Sequence, residues 1–202
     1  SLSDNNVFCL TEDREGTFWV ATTGGGVNIF DRETGEFTHY RANPNDPTTP
    51  SSDYVRYIFE DRSGVVWFAY TYTGLSRVNR YAHKFAHFRN IPTDPNSLNN
   101  NWVWALHEDR NGELWIGTDG GGLSRHDPDT GQYHVYQHDA ADSTSLGGDV
   151  VRTVYEDRSG TLWVGTRGGL SRYNRATDSF STFRKIKGDS TAPFFLDIGG
   201  GI

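Results

Sequence analysis

The sequence predicts an all-β chain of four tandem β-propeller blades, each a four-stranded unit, and three observations predict it. Glu-Asp-Arg begins at Glu12, Glu60, Glu108 and Glu156, a step of 48 residues each time. Three further sets keep that step: Val7, Val55, Val103 and Val151; Gly16, Gly64, Gly112 and Gly160; and Trp19, Trp67, Trp115 and Trp163. Each unit carries four short runs rich in β-branched and aromatic residues, parted by Gly-, Asp- and Pro-rich breaks, and no segment sustains a helical period. Four strands in a unit of this length describe a propeller blade, whereas a solenoid repeat is shorter or helical.

In the first unit, Val7 to Asp13 is the first strand. The turn Asp13-Arg14-Glu15-Gly16 follows, with Gly16 suited to the left-handed position of a tight hairpin. Thr17 to Thr22 is the second strand and Gly24-Gly25-Gly26 breaks it. Val27 to Arg32 is the third, Glu33 to Glu36 a turn, and Phe37 to Arg41 the fourth. A polar, Pro-rich loop, Ala42 to Asp53, leads onward. By this pattern the blades occupy about 1–49, 50–97, 98–145 and 146–184, with 185–202 a tail. Trp19, Trp67, Trp115 and Trp163 fill the wedge between neighbouring sheets, a packing role whose loss to Ala costs about 3–5 kcal/mol.

Composition bounds the function. The net charge is −7, which argues against a nucleic-acid partner. No apolar run reaches the roughly 20 residues of a membrane helix, so no direct membrane insertion is expected. The chain starts at Ser1 without a secretory signal, so targeting information is expected outside it. Cys9 is the one cysteine; it forms no internal disulfide and reads as an ordinary strand residue.

Several stretches imitate chemical motifs and fail on detail. Asp127-Pro128-Asp129-Thr130-Gly131 lacks the twelfth-position Glu of a calcium loop and reads as a turn. His83 and Asp178 stand where other units have Gly35 and Gly131, so they too read as turn residues. His134 and His138 are not brought together by their spacing in a strand. Gly24 to Gly26 and Gly120 to Gly122 lack the pattern and helix of a phosphate loop, and no Gly-x-Ser-x-Gly occurs. The acidic pair Glu12-Asp13 recurs in every unit, which suits turn and inter-blade hydrogen bonding rather than catalysis. No catalytic residue, metal or cofactor is expected.

The string Val103 to Asp127, V-W-A-L-H-E-D-R-N-G-E-L-W-I-G-T-D-G-G-G-L-S-R-H-D, closely resembles the two-component regulator propeller repeat. Val151 to Asn174 resembles it too, as do the other two units, and the loops Asn45-Asp46-Pro47 and Thr93 to Leu98 look like that family's linkers. The resemblance implies a sensory module on the periplasmic side of membrane-bound bacterial sensor histidine kinases, often hybrid ones feeding a phosphorelay, or of some diguanylate cyclases. It implies carbohydrate sensing in many members, and no enzyme activity in this segment. Family propellers have about seven blades. Ser1-Leu2-Ser3 matches the end of a linker (Ser97-Leu98-Asn99) and Asp189-Ser190-Thr191 the start of one (Asp142-Ser143-Thr144). A piece of a larger propeller is therefore expected, with the remaining blades as partners and self-association through bare blade faces; a closed ring of four is the alternative.

Strand connectivity places the Gly-rich breaks and the long linkers at one end of every blade. Long loops on a rigid scaffold are the usual place for binding. At that end the units differ: Thr23, Thr71, Asp119 and Arg167 correspond, as do Phe8, Arg56, Trp104 and Arg152, and Asn6, Tyr54, Trp102 and Val150. Tyr72 replaces a Gly. The expected ligand-binding rim is Arg56, Tyr72, Trp102, Trp104, Asp119, Arg152 and Arg167, facing a small-molecule or oligosaccharide signal: rings stack on sugars and guanidinium forks bond hydroxyls or carboxylates. A protein-interaction scaffold is an alternative. A propeller-fold lyase or glycan-processing enzyme is another, and would need Arg56, His107, Asp119 and Tyr155 to converge.

Overall fold

The computed structural model of the protein describes residues 1–79, 84–127 and 130–184. These form four antiparallel four-stranded sheets. The first sheet contains β1 (Val7–Glu12), β2 (Phe18–Thr22), β3 (Gly26–Phe30) and β4 (Phe37–Tyr40); the second contains β5 (Val55–Glu60), β6 (Val66–Tyr70), β7 (Leu75–Asn79) and β8 (Lys84–Phe88). The third contains β9 (Val103–Glu108), β10 (Leu114–Thr118), β11 (Leu123–His126) and β12 (Tyr133–Tyr136); the fourth contains β13 (Val151–Glu156), β14 (Leu162–Thr166), β15 (Gly169–Asn174) and β16 (Ser179–Phe183). In each sheet the strands lie side by side in chain order. The first strands also touch one another from blade to blade, β1 to β5, β5 to β9 and β9 to β13, so they form the inner wall of the arc. The strands are slightly shorter than their apolar runs; Asp13, the last residue of the predicted first strand, belongs to the turn. His83, Pro128, Asp129 and the tail 185–202 lie outside the described residues.

The Asp of each Glu-Asp-Arg organises its hairpin. In the first blade the Asp13 carbonyl accepts from Gly16 N at 2.9 Å. Its carboxylate accepts from Thr17 N at 2.9 Å and from Trp19 Nε1 at 2.8 Å. The same indole bond recurs from Trp67 to Asp61, Trp115 to Asp109 and Trp163 to Asp157, at 2.8–2.9 Å. Gly16, Gly64, Gly112 and Gly160 take φ between +83° and +90°, a region costly for any residue with a Cβ. Asp178, at φ +50°, fills the equivalent of a glycine in an outer turn.

The Glu and Arg of the motif join one blade to the next. Glu60 accepts from the Arg14 backbone N at 2.9 Å, Glu108 from that of Arg62 at 2.6 Å and Glu156 from that of Arg110 at 2.8 Å. The side chains of Arg62 and Arg110 close the same contacts as ion pairs at 3.1 and 2.8 Å. Glu12, with no blade before it among the described residues, pairs instead with Arg32 of its own sheet at 2.7 Å.

Trp19, Trp67 and Trp115 are each wedged against the following blade. Trp19 meets Phe68 edge-on at 5.4 Å, and Trp115 meets Tyr173 at 5.0 Å. Opposite them, Val55, Ile58, Val103, Leu106, Val151 and Val154 are buried, whereas the equivalent residues of the first blade, Val7 and Leu10, are 40% and 57% exposed. At the other end, Trp163 is only half-buried and Phe183 is exposed. Both end faces of the arc therefore have the composition of an inter-blade interface. The linkers are built with equal regularity: Ser97 Oγ and Ser145 Oγ cap Ile91 N and Asp139 N at 2.9 Å, while Leu98 and Leu146 plug the space between blades.

Candidate functional site

The inner strand of every blade carries one β-bulge at its loop end. Val55 faces Tyr70 and Tyr57 faces Ala69, so Arg56 is an extra residue with no partner across the sheet. Phe8, Trp104 and Arg152 occupy the same place in the other three blades. A bulge breaks the alternation of a strand and re-aims the extra side chain. Here it puts Val55 and Ile58, three apart, in one core cluster, and frees Arg56 from the packing faces.

The four bulge residues form a continuous stack across the blades. The Arg56 guanidinium carbon lies 4.8 Å from the Phe8 ring centre and 4.0 Å from that of Trp104. Arg152 covers Trp104 as well, at 4.9 Å. Each contact is a cation–π interaction worth about 0.5–2 kcal/mol, more as water is excluded. Trp102 stacks beside Trp104 at 6.1 Å and 16°, and Tyr72 meets Trp102 edge-on at 5.1 Å.

One backbone bond per blade ties the two variable loop positions together. Asp119 N donates to Trp102 O at 2.9 Å, Thr71 N to Tyr54 O at 3.2 Å, Thr23 N to Asn6 O at 3.0 Å and Arg167 N to Val150 O at 3.0 Å. Burial lowers the pKa of Arg56; the Arg152 charge adds to the lowering, and Tyr72 and Asp119 oppose it. Arg56 Nε, Trp102 Nε1 and Trp104 Nε1 are buried with no hydrogen-bond partner among the described residues.

Six of the seven residues expected at the rim are thus connected: Arg56, Trp104 and Arg152 in the ladder, Trp102 and Tyr72 beside it, and Asp119 through its charge. Arg167 is exposed at the same end, and no side-chain contact joins it to the ladder among the described residues. Two guanidiniums lie over the Trp104 ring; the exposed rings at this end are Tyr72, Tyr54 and Phe8. Phe8, which aligns with Arg56, was visible in the 48-residue step but not chosen above. The set Arg56, His107, Asp119 and Tyr155 is not assembled. His107 interacts with Glu156, Asp109 and Glu108 at the turn end, away from Asp119.

Two other places hold concentrated polar groups. A cleft of about 860 Å³ runs between the first two linkers, past Pro44, Tyr72, His87 and Asn96. On the outer side of the last two blades, Asp178 accepts from Tyr136 OH at 2.6 Å and from Tyr173 OH, and lies 3.9 Å from Arg125 and 3.6 Å from His134. That network joins two blades with its groups paired, which suits cohesion.

The family model of the two component regulator propeller matches residues 1–24, 97–120 and 145–168. The second unit, where Phe68-Ala69-Tyr70 replaces the usual Ile/Val-Gly-Thr, is outside the matched segments. The extracellular domain of BT3049 from B. thetaiotaomicron, described as a hybrid two component system, superposes with a TM-score of 0.77 at 29% identity, over 90% of this chain and 24% of that one. The extracellular domain of BT4673 from the same organism, described as a one component system, gives 0.71 at 25% identity, over 88% and 25%. This chain spans about a quarter of their length. A virginiamycin B lyase from Staphylococcus aureus shares the fold at 15% identity and TM-score 0.63, over 88% of this chain and 55% of that one. No curated protein matches in sequence. Spacing, sheet topology and these matches agree: the chain is a run of propeller blades, and three of its four units match the two component regulator propeller model.

Proposed function

We propose that the chain is a signal-binding segment in the extracytoplasmic part of a membrane-anchored sensor of the two-component type, and that the inner rim at the loop end receives the signal. The rim ladder carries this reading: variable, charged and aromatic side chains are held in register by a fixed frame, and three of their buried N–H groups lack partners. The likeness to extracellular domains of two component systems supports the class of protein. No helix among the described residues is long and apolar enough to cross a membrane; the reading assigns anchoring and output to other segments. A ligand moves such a sensor only by its differential affinity for two packings of the blades. The inner strands, which touch from blade to blade, are where a bound molecule bridges several blades at once.

The test is thermal unfolding of the chain against neutral and acidic oligosaccharides. A true ligand at 100 times its Kd adds about 2.7 kcal/mol and raises the melting temperature saturably. Tyr72→Ala, at an exposed ring, should abolish the rise without lowering the unliganded melting temperature. A cooperative melt that no sugar moves would count against sensing here and favour a protein-interaction scaffold.

A further inference from the structure

The geometry points to an anionic ligand at the inner rim, its oxyanion received by Arg56 and Arg152 and the rest of the molecule laid against Tyr72. This rests on the sensor reading above and adds the charge class of the signal.

The first ground is that two cations share one ring with no carboxylate beside them among the described residues. Arg56 and Arg152 have no ion pair among the described residues, although the chain carries a net charge of −7. Acidic groups are plentiful, yet two guanidiniums lie over one indole, at 4.0 and 4.9 Å from its centre, with no carboxylate in ion-pair distance of either among the described residues. Like charges held this close repel, and the repulsion is relieved when an anion bridges them.

The second ground is the balance of donors and acceptors. A guanidinium has five N–H donors and an indole one, and neither accepts. The ladder of Arg56, Trp104, Arg152 and Trp102 is therefore donor-only, and Arg56 Nε and both indole N–H groups are unmatched. Asp119 and the Tyr72 phenol are the acceptors that act on Arg56, and Asp119 is not within ion-pair distance of it. A site with this inventory selects a ligand rich in acceptors, and a carboxylate or sulfate on an arginine fork is the strong case.

The third ground is access. Arg56 packs against the rings of Phe8 and Trp104, which leaves the inner wall as the approach for an anion. Arg152 is exposed on that wall, and Tyr72 is 61% exposed. The aromatic rungs thus act as spacers that fix the two cations rather than as platforms for the ligand.

The experiment is calorimetric titration of the chain with trigalacturonate, with its fully methyl-esterified form, and with a sulfated disaccharide. The ester keeps the rings and removes the charge. We expect at least one acid to bind, its uncharged form to bind about tenfold or more weakly, and Arg152→Gln to lose about tenfold or more. Arg152→Gln should lower the melting temperature only slightly, since the side chain is exposed and one cation–π contact is lost. Asp119→Asn should strengthen binding by removing a like charge. Equal affinity for acid and ester, or no loss in Arg152→Gln, overturns the proposal, as does the absence of saturable binding by every anionic probe. Neutral oligosaccharides that bind and are lost in Tyr72→Ala would leave the sensor reading standing while this charge assignment fails. If no compound of either kind binds, both fail.

Discussion

Trp115 and Trp163 occupy one repeat position in two different surroundings, and the pair of substitutions to Ala isolates the energy of the inter-blade wedge. Both indoles donate to the Asp of their own turn, at 2.9 and 2.8 Å, so the local hydrogen bond is common to both. Trp115 is fully buried, stacked on Tyr136 at 5.7 Å and edge-on to Tyr173 of the next blade at 5.0 Å. Trp163 is half-buried, with Phe183 of its own sheet at 6.1 Å as its ring neighbour. A fully buried Trp cut to Ala costs about 3–5 kcal/mol, and each aromatic pair adds about 0.5–1.5 kcal/mol. Half the burial and no ring from a following blade bring Trp163→Ala to about 2 kcal/mol. The expected difference is about 2 kcal/mol, a factor near 30 in the unfolding equilibrium. Urea unfolding followed by far-UV circular dichroism measures both variants against the parent chain. If Trp163→Ala costs as much as Trp115→Ala, the wedge is energetically idle and stability resides in the turn bond alone.

Three further outcomes are expected. Glu156 receives the Arg110 backbone N–H, the Arg110 side chain and Arg175, so Glu156→Ala should cost about 2–3 kcal/mol, whereas Arg110→Ala, at a largely exposed side chain, should cost under about 1 kcal/mol; denaturant midpoints read both. Burial lowers the pKa of His107 against the opposing pull of Glu156, Asp109 and Glu108. The unfolded chain therefore takes up the proton first as pH falls. The contribution of His107 is full above about pH 6.5 and is lost as pH drops through that value toward the lowered folded one. His107→Phe, which copies Phe59 at the same place, should flatten the fall in melting temperature between pH 7.5 and 5; His87 and His126, lowered in the same direction, keep it from vanishing, and an unchanged slope would refute the assignment. Gly120 and Gly122 both have positive φ, but an added Cβ meets nothing at Gly120 and lies 2.2 Å from the Tyr136 carbonyl oxygen at Gly122. Gly120→Ala should cost about 1 kcal/mol and Gly122→Ala more than about 3 kcal/mol, by urea midpoint.

The fold was legible because its determinants are local and repeated. The Asp that accepts both a turn amide and an indole, the left-handed glycine three residues on, and the Trp itself all lie within seven residues, so each unit spells them out in full. The loop-end rim was legible from topology and from differences between units, which is how Arg56, Trp104 and Arg152 were placed on one wall. The bulge was not read, although it leaves a trace: Val7 and Leu10, Val55 and Ile58, Val103 and Leu106, Val151 and Val154 are apolar at a spacing of three, which a regular strand cannot put on one face. Without the bulge, the stacking of successive units' side chains could not be foreseen, and Trp104 was expected to offer a face that two arginines cover. Asp178 reads from the sequence as a turn residue and nothing more. It replaces a glycine, and its spacing does not signal that its carboxylate reaches Tyr173 of its own sheet and Tyr136 and Arg125 of the preceding one.

The forward reach of each Glu–Arg contact has a bearing on how such a chain can change its length. Arg14 meets Glu60, Arg62 meets Glu108 and Arg110 meets Glu156, each 46 residues ahead. Duplication or loss of one whole unit would leave all remaining joints correctly matched, whereas an insertion of any other size would misalign one. The inner wall does not share that indifference. Its order is ring, cation, ring, cation, and excision of the third unit would bring Arg56 directly against Arg152 with no indole between them. Units of this array are interchangeable as building blocks but not as neighbours in the stack, so the wall keeps a parity that the joints do not.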